Sequence, residues 1–279
     1  MAIKMDLVGK VFDPVSFSYT WKDVVLYALG VGAKIDELDY LYEGRGPKVL
    51  PTFAVVPSFA SLIDVVGRLQ LNVMMVLHGE QGIRLHRAIP PSATLKTRST
   101  IKGIYDKGKG ALVAVECKTV DDKEEPVFDN TFSIFVRGEG GFGGDRGPEA
   151  EKVEAPEGKA PDFEVTEAIP AEQALLYRLG GGDLNPLHAD PGFAKMAGFE
   201  RPILHGLGTY GYAGRAVLRA ACGGDAAKLR GFFARFSGAV VPGDTITTRG
   251  WKVGDQRYAV AVTNQAGKPV LTQGVADLA

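Results

Sequence analysis

The sequence predicts an α+β protein built from two copies of one unit, each a helix laid against an antiparallel sheet. Three observations carry this prediction: short segments recur at an offset of 150 or 151 residues, each half runs a helical pattern and then a series of alternating apolar segments, and a stretch rich in Gly, Pro and Glu separates the halves.

The repeat is specific. Tyr27-Ala-Leu-Gly-Val-Gly-Ala33 pairs with Tyr177-Arg-Leu-Gly-Gly-Gly-Asp183, keeping Tyr, Leu and two Gly. Ile83 to Arg98 aligns without gaps on Ala234 to Arg249, with identities at Arg84/Arg235, Ala88/Ala239, Pro91/Pro242, Thr94/Thr245, Thr97/Thr248 and Arg98/Arg249. Pro51-Thr-Phe-Ala-Val55 falls opposite Pro202-Ile-Leu-His-Gly206 in the same order. Residues 139–164 lack apolar periodicity and read as a linker, with the boundary near residue 150. The expected organisation is an N-terminal half over 1–138, the linker, and a C-terminal half over 165–279.

In the first half, Phe59, Leu62, Ile63 and Val66 mark a helix, followed by strands at Ile83 to Arg87, Thr94 to Tyr105, Ala111 to Thr119 and Asn130 to Val136. In the second, Asp190-Pro191 offers the cap and first turn of a short helix that Gly198 ends. Pro202 precedes a longer one, with Leu207, Tyr210, Ala213 or Gly214, Val217 and Ala221 at helical spacing until Gly223-Gly224. Strands follow at Phe232 to Phe236, Thr245 to Val253, Tyr258 to Asn264 and Val270 to Ala276. A helix against a sheet, twice, is a two-layer arrangement.

Composition narrows the function. With 45% hydrophobic and 23% charged residues the chain is neither disordered nor fibrous. A formal net charge of -1, with no long Lys/Arg run, supplies no footprint for nucleic acid or an anionic membrane, so neither partner is expected. Apolar stretches such as Val73 to Leu77 are far shorter than the roughly 20 residues that a membrane-spanning helix needs. The N-terminal residues carry no secretory pattern, and the closing Ala-Asp-Leu-Ala is no peroxisomal tripeptide, so the expected location is the cytoplasm. Cys117 and Cys222 are far apart and lack metal-ligand spacing; they are expected to be buried thiols in a reducing compartment, and no metal or cofactor is expected.

Four histidines are present, and His188 stands out, because Gly182-Asp183-Leu-Asn185-Pro-Leu-His188 crowds an Asp, an Asn and a His into one short segment. A turn is the simpler structural reading, since Asp and Asn before Pro are turn formers. The repeat favours chemistry: opposite Asp183, Asn185 and His205 the first half has Ala33, Ile35 and Ala54, while its glycines and apolar positions persist. Those polar residues are dispensable for folding a half.

Tyr177-Arg-Leu, the Asp183 to His188 segment and Pro202-Ile-Leu-His-Gly206 resemble the signature of the MaoC-like, type 2 (R-specific) enoyl-CoA hydratases. Leu77-His-Gly-Glu-Gln81, Tyr27 to Ala33, Phe132-Ser-Ile-Phe135 and Gly140-Gly-Phe-Gly-Gly144 resemble the non-catalytic half and linker of the same enzymes, so the likeness covers nearly the whole chain. It is greatest to the hydratase region of the peroxisomal multifunctional enzymes of β-oxidation. One departure is that Gly180, Gly181 and Gly182 all intervene between Leu179 and Asp183, where the family usually has one small residue and one Gly.

The resemblance implies a double hotdog fold and reversible hydration of trans-2-enoyl-CoA to (3R)-3-hydroxyacyl-CoA. It assigns Asp183 and His188 as the acid/base pair, Asn185 to positioning, and the Gly206 N–H, at the start of the longer helix, to the thioester oxyanion. His205 is expected beside the pair. Leu184, Pro186 and Leu187 are expected to line the substrate, and His78, Gly79, Lys107 and Phe236 match positions that contact CoA. His86 is given no role. A hotdog acyl-CoA thioesterase and a non-catalytic acyl-CoA binding module are the alternatives. A homodimer is expected because two-fold association is the commonest arrangement.

Overall fold

The computed structural model describes residues 3–149 and 152–279; Ala150 and Glu151, at the expected boundary, lie outside the described residues. The first half runs β1 (Val15–Tyr19), α1 (Trp21–Gly30), α2 (Leu38–Leu41), α3 (Val55–Arg68), β2 (Val76–Leu85), β3 (Ala93–Asp106), β4 (Gly110–Val120) and β5 (Pro126–Arg137). The second runs β6 (Phe163–Ala168), α4 (Gln173–Gly181), α5 (Pro191–Met196), α6 (Gly206–Ala221), β7 (Leu229–Phe236), β8 (Thr245–Gly254), β9 (Arg257–Asn264) and β10 (Pro269–Leu278). Pairing starts at Phe163, inside the expected linker.

All strands join one 10-stranded antiparallel sheet in the order β1-β3-β4-β5-β2-β7-β10-β9-β8-β6. The order on one side of the β2–β7 joint repeats in reverse on the other. In that joint Gly82 faces Phe233, which is its own counterpart at the repeat offset of 151, so a pseudo-two-fold axis passes between them.

Two apolar clusters hold the layers together. In the first half Leu62, Val65 and Val66 of α3 pack on Ile101, Val113, Val115, Phe132 and Ile134 of the sheet. A larger cluster, shared by both halves, gathers Tyr27, Phe53, Tyr177, Tyr210 and Phe232. The α3 stripe is therefore rotated from the sequence expectation, and Ile63 faces outward at 53% exposure. Helix limits follow local chemistry: the Asp190 side chain accepts the Phe193 amide to start α5, and Gly198, Gly223 and Gly224 take positive φ where helices end.

The sequence patterns missed β1, α1, β6 and α4. Both helices are defined by their mutual contact more than by an apolar stripe of their own. A β-carbon on Gly30 would lie 3.1 Å from Tyr177 Cα, and one on Gly180 would lie 2.7 Å from the backbone of Leu26 and Tyr27. Equivalent glycines thus let the two helices touch across the pseudo-axis. The neighbours of Gly180 serve other purposes: a β-carbon on Gly181 would strike the Tyr177 ring, and Gly182 is left-handed at φ +74.

A buried ion cluster also ties the halves together. Arg215 of α6, whose side chain is fully buried, donates to the Val31 carbonyl at 3.0 Å and to the carboxylates of Glu37 and Glu167.

Candidate active site

α4 ends at the left-handed Gly182, which turns the chain so that Asp183 leaves the helix toward the start of α6. The Asn185 N–H donates to Asp183 Oδ1 at 3.0 Å, and Asn185 Oδ1 accepts the Leu187 N–H at 3.0 Å. Pro186–His188 then form a single 3-10 turn that carries His188 inward to a buried position. The turn predicted by these residues forms, and it brings the side chains of Asp183 and His188 within 4.8 Å of each other.

The ligand atoms of Asp183, His188 and His205 lie within 4.8 Å of one another. His188 Nδ1 donates to the Ile203 carbonyl at 2.9 Å, which leaves Nε2 as the basic nitrogen. His205, on the residue before α6, donates from Nε2 to the Asp183 carbonyl at 3.1 Å; its buried Nδ1 pairs with no described residue. The two imidazoles are stacked, with centroids 3.6 Å apart and planes 25° apart, and the Tyr177 ring lies 4.8 Å from His205, tilted by 46°. Nitrogen lone pairs lie in the ring planes, so near-parallel rings converge poorly on one ion. The trio suits proton transfer better than metal ligation.

Burial lowers the pKa of His188, opposed by the Ile203 carbonyl and the Asp183 charge. Burial, with His188 adding to it, pushes His205 down to about 3. Both rings are therefore neutral at physiological pH.

Gly206 opens α6, and no side chain caps that helix, so its first N–H groups and the positive end of its dipole face the site. The Phe236 ring covers Gly206, with ring carbons 3.2 Å from where a β-carbon would lie. Phe236 in turn contacts His78 of the first half at a centroid distance of 4.8 Å. His78 also meets Phe132, and burial pushes its imidazole down to about 4. Gly79 sits in a bulge of β2, 3.2 Å from the Ser133 carbonyl measured from an added β-carbon. The second half thus supplies Asp183, His188, His205 and Gly206, and the first supplies His78 against Phe236.

Other expected residues lie farther out. Lys107 occupies the β3–β4 turn, three strand positions from β2 in the sheet order. Leu184 is 59% exposed, and Leu187 is partly buried. Pro186 and Asn185 are exposed on the loop. Glu80 was missed from the sequence although it falls in the His-Gly-Glu-Gln segment: it bonds Arg235 across the joint at 2.6 and 2.8 Å and accepts the Ser133 hydroxyl at 2.9 Å. Tyr177, which the sequence offers as a repeat landmark and as part of the family signature without a role at the site, buries its hydroxyl with no described partner, and burial raises its pKa well above the ordinary value.

A cavity of about 220 Å³ opens against His188 between Ala174, Leu175, Arg201 and Pro202. A larger depression of about 890 Å³ lies at the joint among Arg84, His86, Asp129, Arg230 and Asp277, away from every candidate residue. His86 there bonds Asp129 at 3.0 Å.

The duplicated helix-on-sheet fold is a double hotdog, and the comparisons with known proteins make it an enzyme of hydratase type. The MFE-2 hydratase 2 N-terminal domain matches residues 17–138 and the MaoC-like domain matches residues 152–273. A protein of Dictyostelium discoideum named probable enoyl-CoA hydratase 2 is 43% identical over 94% of this chain and 92% of its own length. Mouse peroxisomal multifunctional enzyme type 2 is 39% identical over 97% of this chain and 38% of its own. The crystal structure of a MaoC-like dehydratase from Phytophthora capsici superposes with a TM-score of 0.89 at 30% identity, covering 100% of this chain and 98% of that one. A Mycobacterium tuberculosis protein described as a double hotdog fold shares the fold, with a TM-score of 0.61 at 15% identity over 98% of this chain and 96% of that one. The chain belongs to the MaoC-like hydratase 2 family.

Proposed function

We propose that this chain adds water reversibly across the 2,3-double bond of a trans-2-enoyl-CoA to give a (3R)-3-hydroxyacyl-CoA. The observation that carries the reading is the position of the Asp183 carboxylate and the free His188 Nε2 beside the N-terminus of α6. A water held between the two loses a proton to one as its oxygen attacks C3, and the other returns a proton to C2. Negative charge gathers on the thioester oxygen as C3 is attacked, and the Gly206 N–H with the α6 dipole stabilises it. Asn185 acts through its backbone, holding the Asp183 carboxylate, while its side chain holds the turn. His205 fixes the Asp183 backbone from one side and the His188 ring from the other. The first half serves the substrate: its counterparts to Asp183 and His205 are Ala33 and Ala54, both buried. Names among the relatives support an acyl-CoA substrate, and one of them is named as a peroxisomal enzyme. The chain works on this reading as a homodimer of double hotdogs, in keeping with the prevalence of two-fold association.

The test is product analysis on a series of 2-enoyl-CoAs. Loss of enoyl absorbance with no free thiol, and a single (3R) product on chiral separation, supports hydration. Release of CoA thiol would assign a thioesterase, and binding without turnover would assign an acyl-CoA binding module.

A further inference from the structure

The cavity of about 220 Å³ beside His188 lies apart from the face where the two halves meet. Ala171, Ala174, Leu175, Pro202 and Pro242 line it, and of the proposed reacting set it touches His188 alone. His205 covers one face of the His188 ring, the Ile203 carbonyl holds Nδ1, and Phe236 with His78 lies over Gly206 on the side of the first half. None of His205, Gly206, Phe236 and His78 borders the cavity, so it reaches His188 from another direction. Ala171, Leu175 and Arg201 at its edge are exposed, whereas Ala174 and His188 are buried. The space therefore leads from solvent to the imidazole.

The duplicated backbone shows what keeps it open. At the offset of 150 residues, Ala171 and Ala174 correspond to Trp21 and Val24. The match is structural as well: the Gln173 N–H donates to the Pro170 carbonyl and the Asp23 N–H to the Thr20 carbonyl, both at 3.1 Å. The Trp21 N–H donates to Ser92 Oγ at 3.0 Å, next to Pro91, which is the counterpart of Pro242. An indole thus stands where the half carrying Asp183 and His188 has a methyl group. Small side chains at this place accompany the proposed acid/base pair and are missing from the half that lacks it.

Hydration consumes one water for each thioester converted, and the reverse reaction must release one. An acyl thioester lying between the halves covers the site from that side, so water needs a path that the thioester does not occupy. A space of this size holds several water molecules at about 30 Å³ each. Its mostly apolar walls offer them few hydrogen bonds, so they are free to move on. We propose that this cavity is a water port, through which water enters and leaves past the edge of His188 while the thioester stays bound. The inference rests on the hydratase reading.

The experiment is isotope exchange at equilibrium, with a long-chain 3-hydroxyacyl-CoA in water enriched in heavy oxygen. The rate at which label enters the hydroxyl group is divided by the rate at which free hydroxyacyl-CoA and enoyl-CoA interconvert. In wild type the ratio should be one or more, because water comes and goes before the thioester leaves. Ala171→Trp, which copies the first half, should bring it below one, since water shut in the site then leaves only after the thioester. The same variant should lower kcat several-fold in both directions and leave the Kd of a non-hydrolysable acyl-CoA analogue unchanged. Leu175→Trp, at the exposed edge, should act in the same sense and replaces Ala171→Trp should that variant not fold. A disturbed His188 slows the chemistry and brings the ratio no lower than one, so a value below one separates a closed port from a damaged base. A wild-type ratio below one overturns the proposal. So does a ratio of one or more in a tryptophan variant whose crystal structure shows the indole seated in the cavity. If wild type interconverts no enoyl and hydroxyacyl thioester, the hydratase reading fails instead.

Discussion

His188 and His205 lie face to face at 3.6 Å, and neither can take a proton without setting a charge against a buried neutral neighbour. Removing the His205 ring opens His188 to water and relieves the burial that depresses its pKa. His205→Ala is therefore expected to move the acid limb of the kcat/KM profile to higher pH and to lower kcat by about tenfold or more. A profile that superposes on wild type would take His205 out of the catalytic surroundings.

Asp183→Asn and His188→Gln remove one member each of the proposed acid/base pair and nearly keep the side-chain volume. Each should lower the hydration rate by about 10²-fold or more, with circular dichroism and melting temperature close to wild type. Near-normal turnover by either variant would rule that residue out.

Stability should fall in acid. The folded-state pKa values of His78, about 4, and His205, about 3, lie below the unfolded value near 6.5, so the unfolded chain binds more protons throughout that interval. The resulting stabilisation is complete above about pH 6.5 and is lost as pH drops toward the folded values, by an order of 2 kcal/mol for each ring at pH 4 to 5. Urea midpoints measured from pH 7.5 to 4.5 should decline, and His78→Asn should flatten part of the decline. A midpoint independent of pH over this interval would contradict the buried neutral state.

The glycines before Asp183 should rank by their surroundings. Gly180→Ala drives a β-carbon to 2.7 Å from the Tyr27 backbone, so α1 and α4 must separate, at a cost of about 1–3 kcal/mol with loss of activity. Gly182→Ala meets nothing within 4 Å and carries only the left-handed penalty of about 1 kcal/mol at φ +74. Thermal melts of the two variants give the order directly, and equal losses would reject the close-packed helix pair.

Wherever a residue's role is written in its own neighbourhood, the sequence was enough. Asp190 before Pro191, the alternation of β8 and β9, and the repeat that leaves Ala33 and Ala54 opposite Asp183 and His205 could all be read directly, and family resemblance supplied the chemistry. α1 and α4 escaped because glycine contacts across the pseudo-axis define them, and a distant surface leaves no periodic mark. Glu80 escaped for a related reason: its partner Arg235 belongs to the other half. The course of the segment after β5 escaped because Gly and Pro composition looks the same in a tether as in a clamp, and only the Asp106 carboxylate, which accepts the Gly141 and Gly143 N–H groups, tells them apart.

The pairing of Gly82 with its own counterpart Phe233 bears on how many sites the molecule can hold. Two separate identical units meeting at this strand edge would depend on concentration, and each would need every catalytic group the pair requires. Covalent linkage removes both conditions, because each chain always carries its partner edge and only one copy must keep the reactive set. On the proposed mechanism, Ala33 and Ala54 mark the copy released from that duty. A non-hydrolysable acyl-CoA analogue should therefore titrate at one equivalent per chain, half of what the symmetry of the backbone would allow.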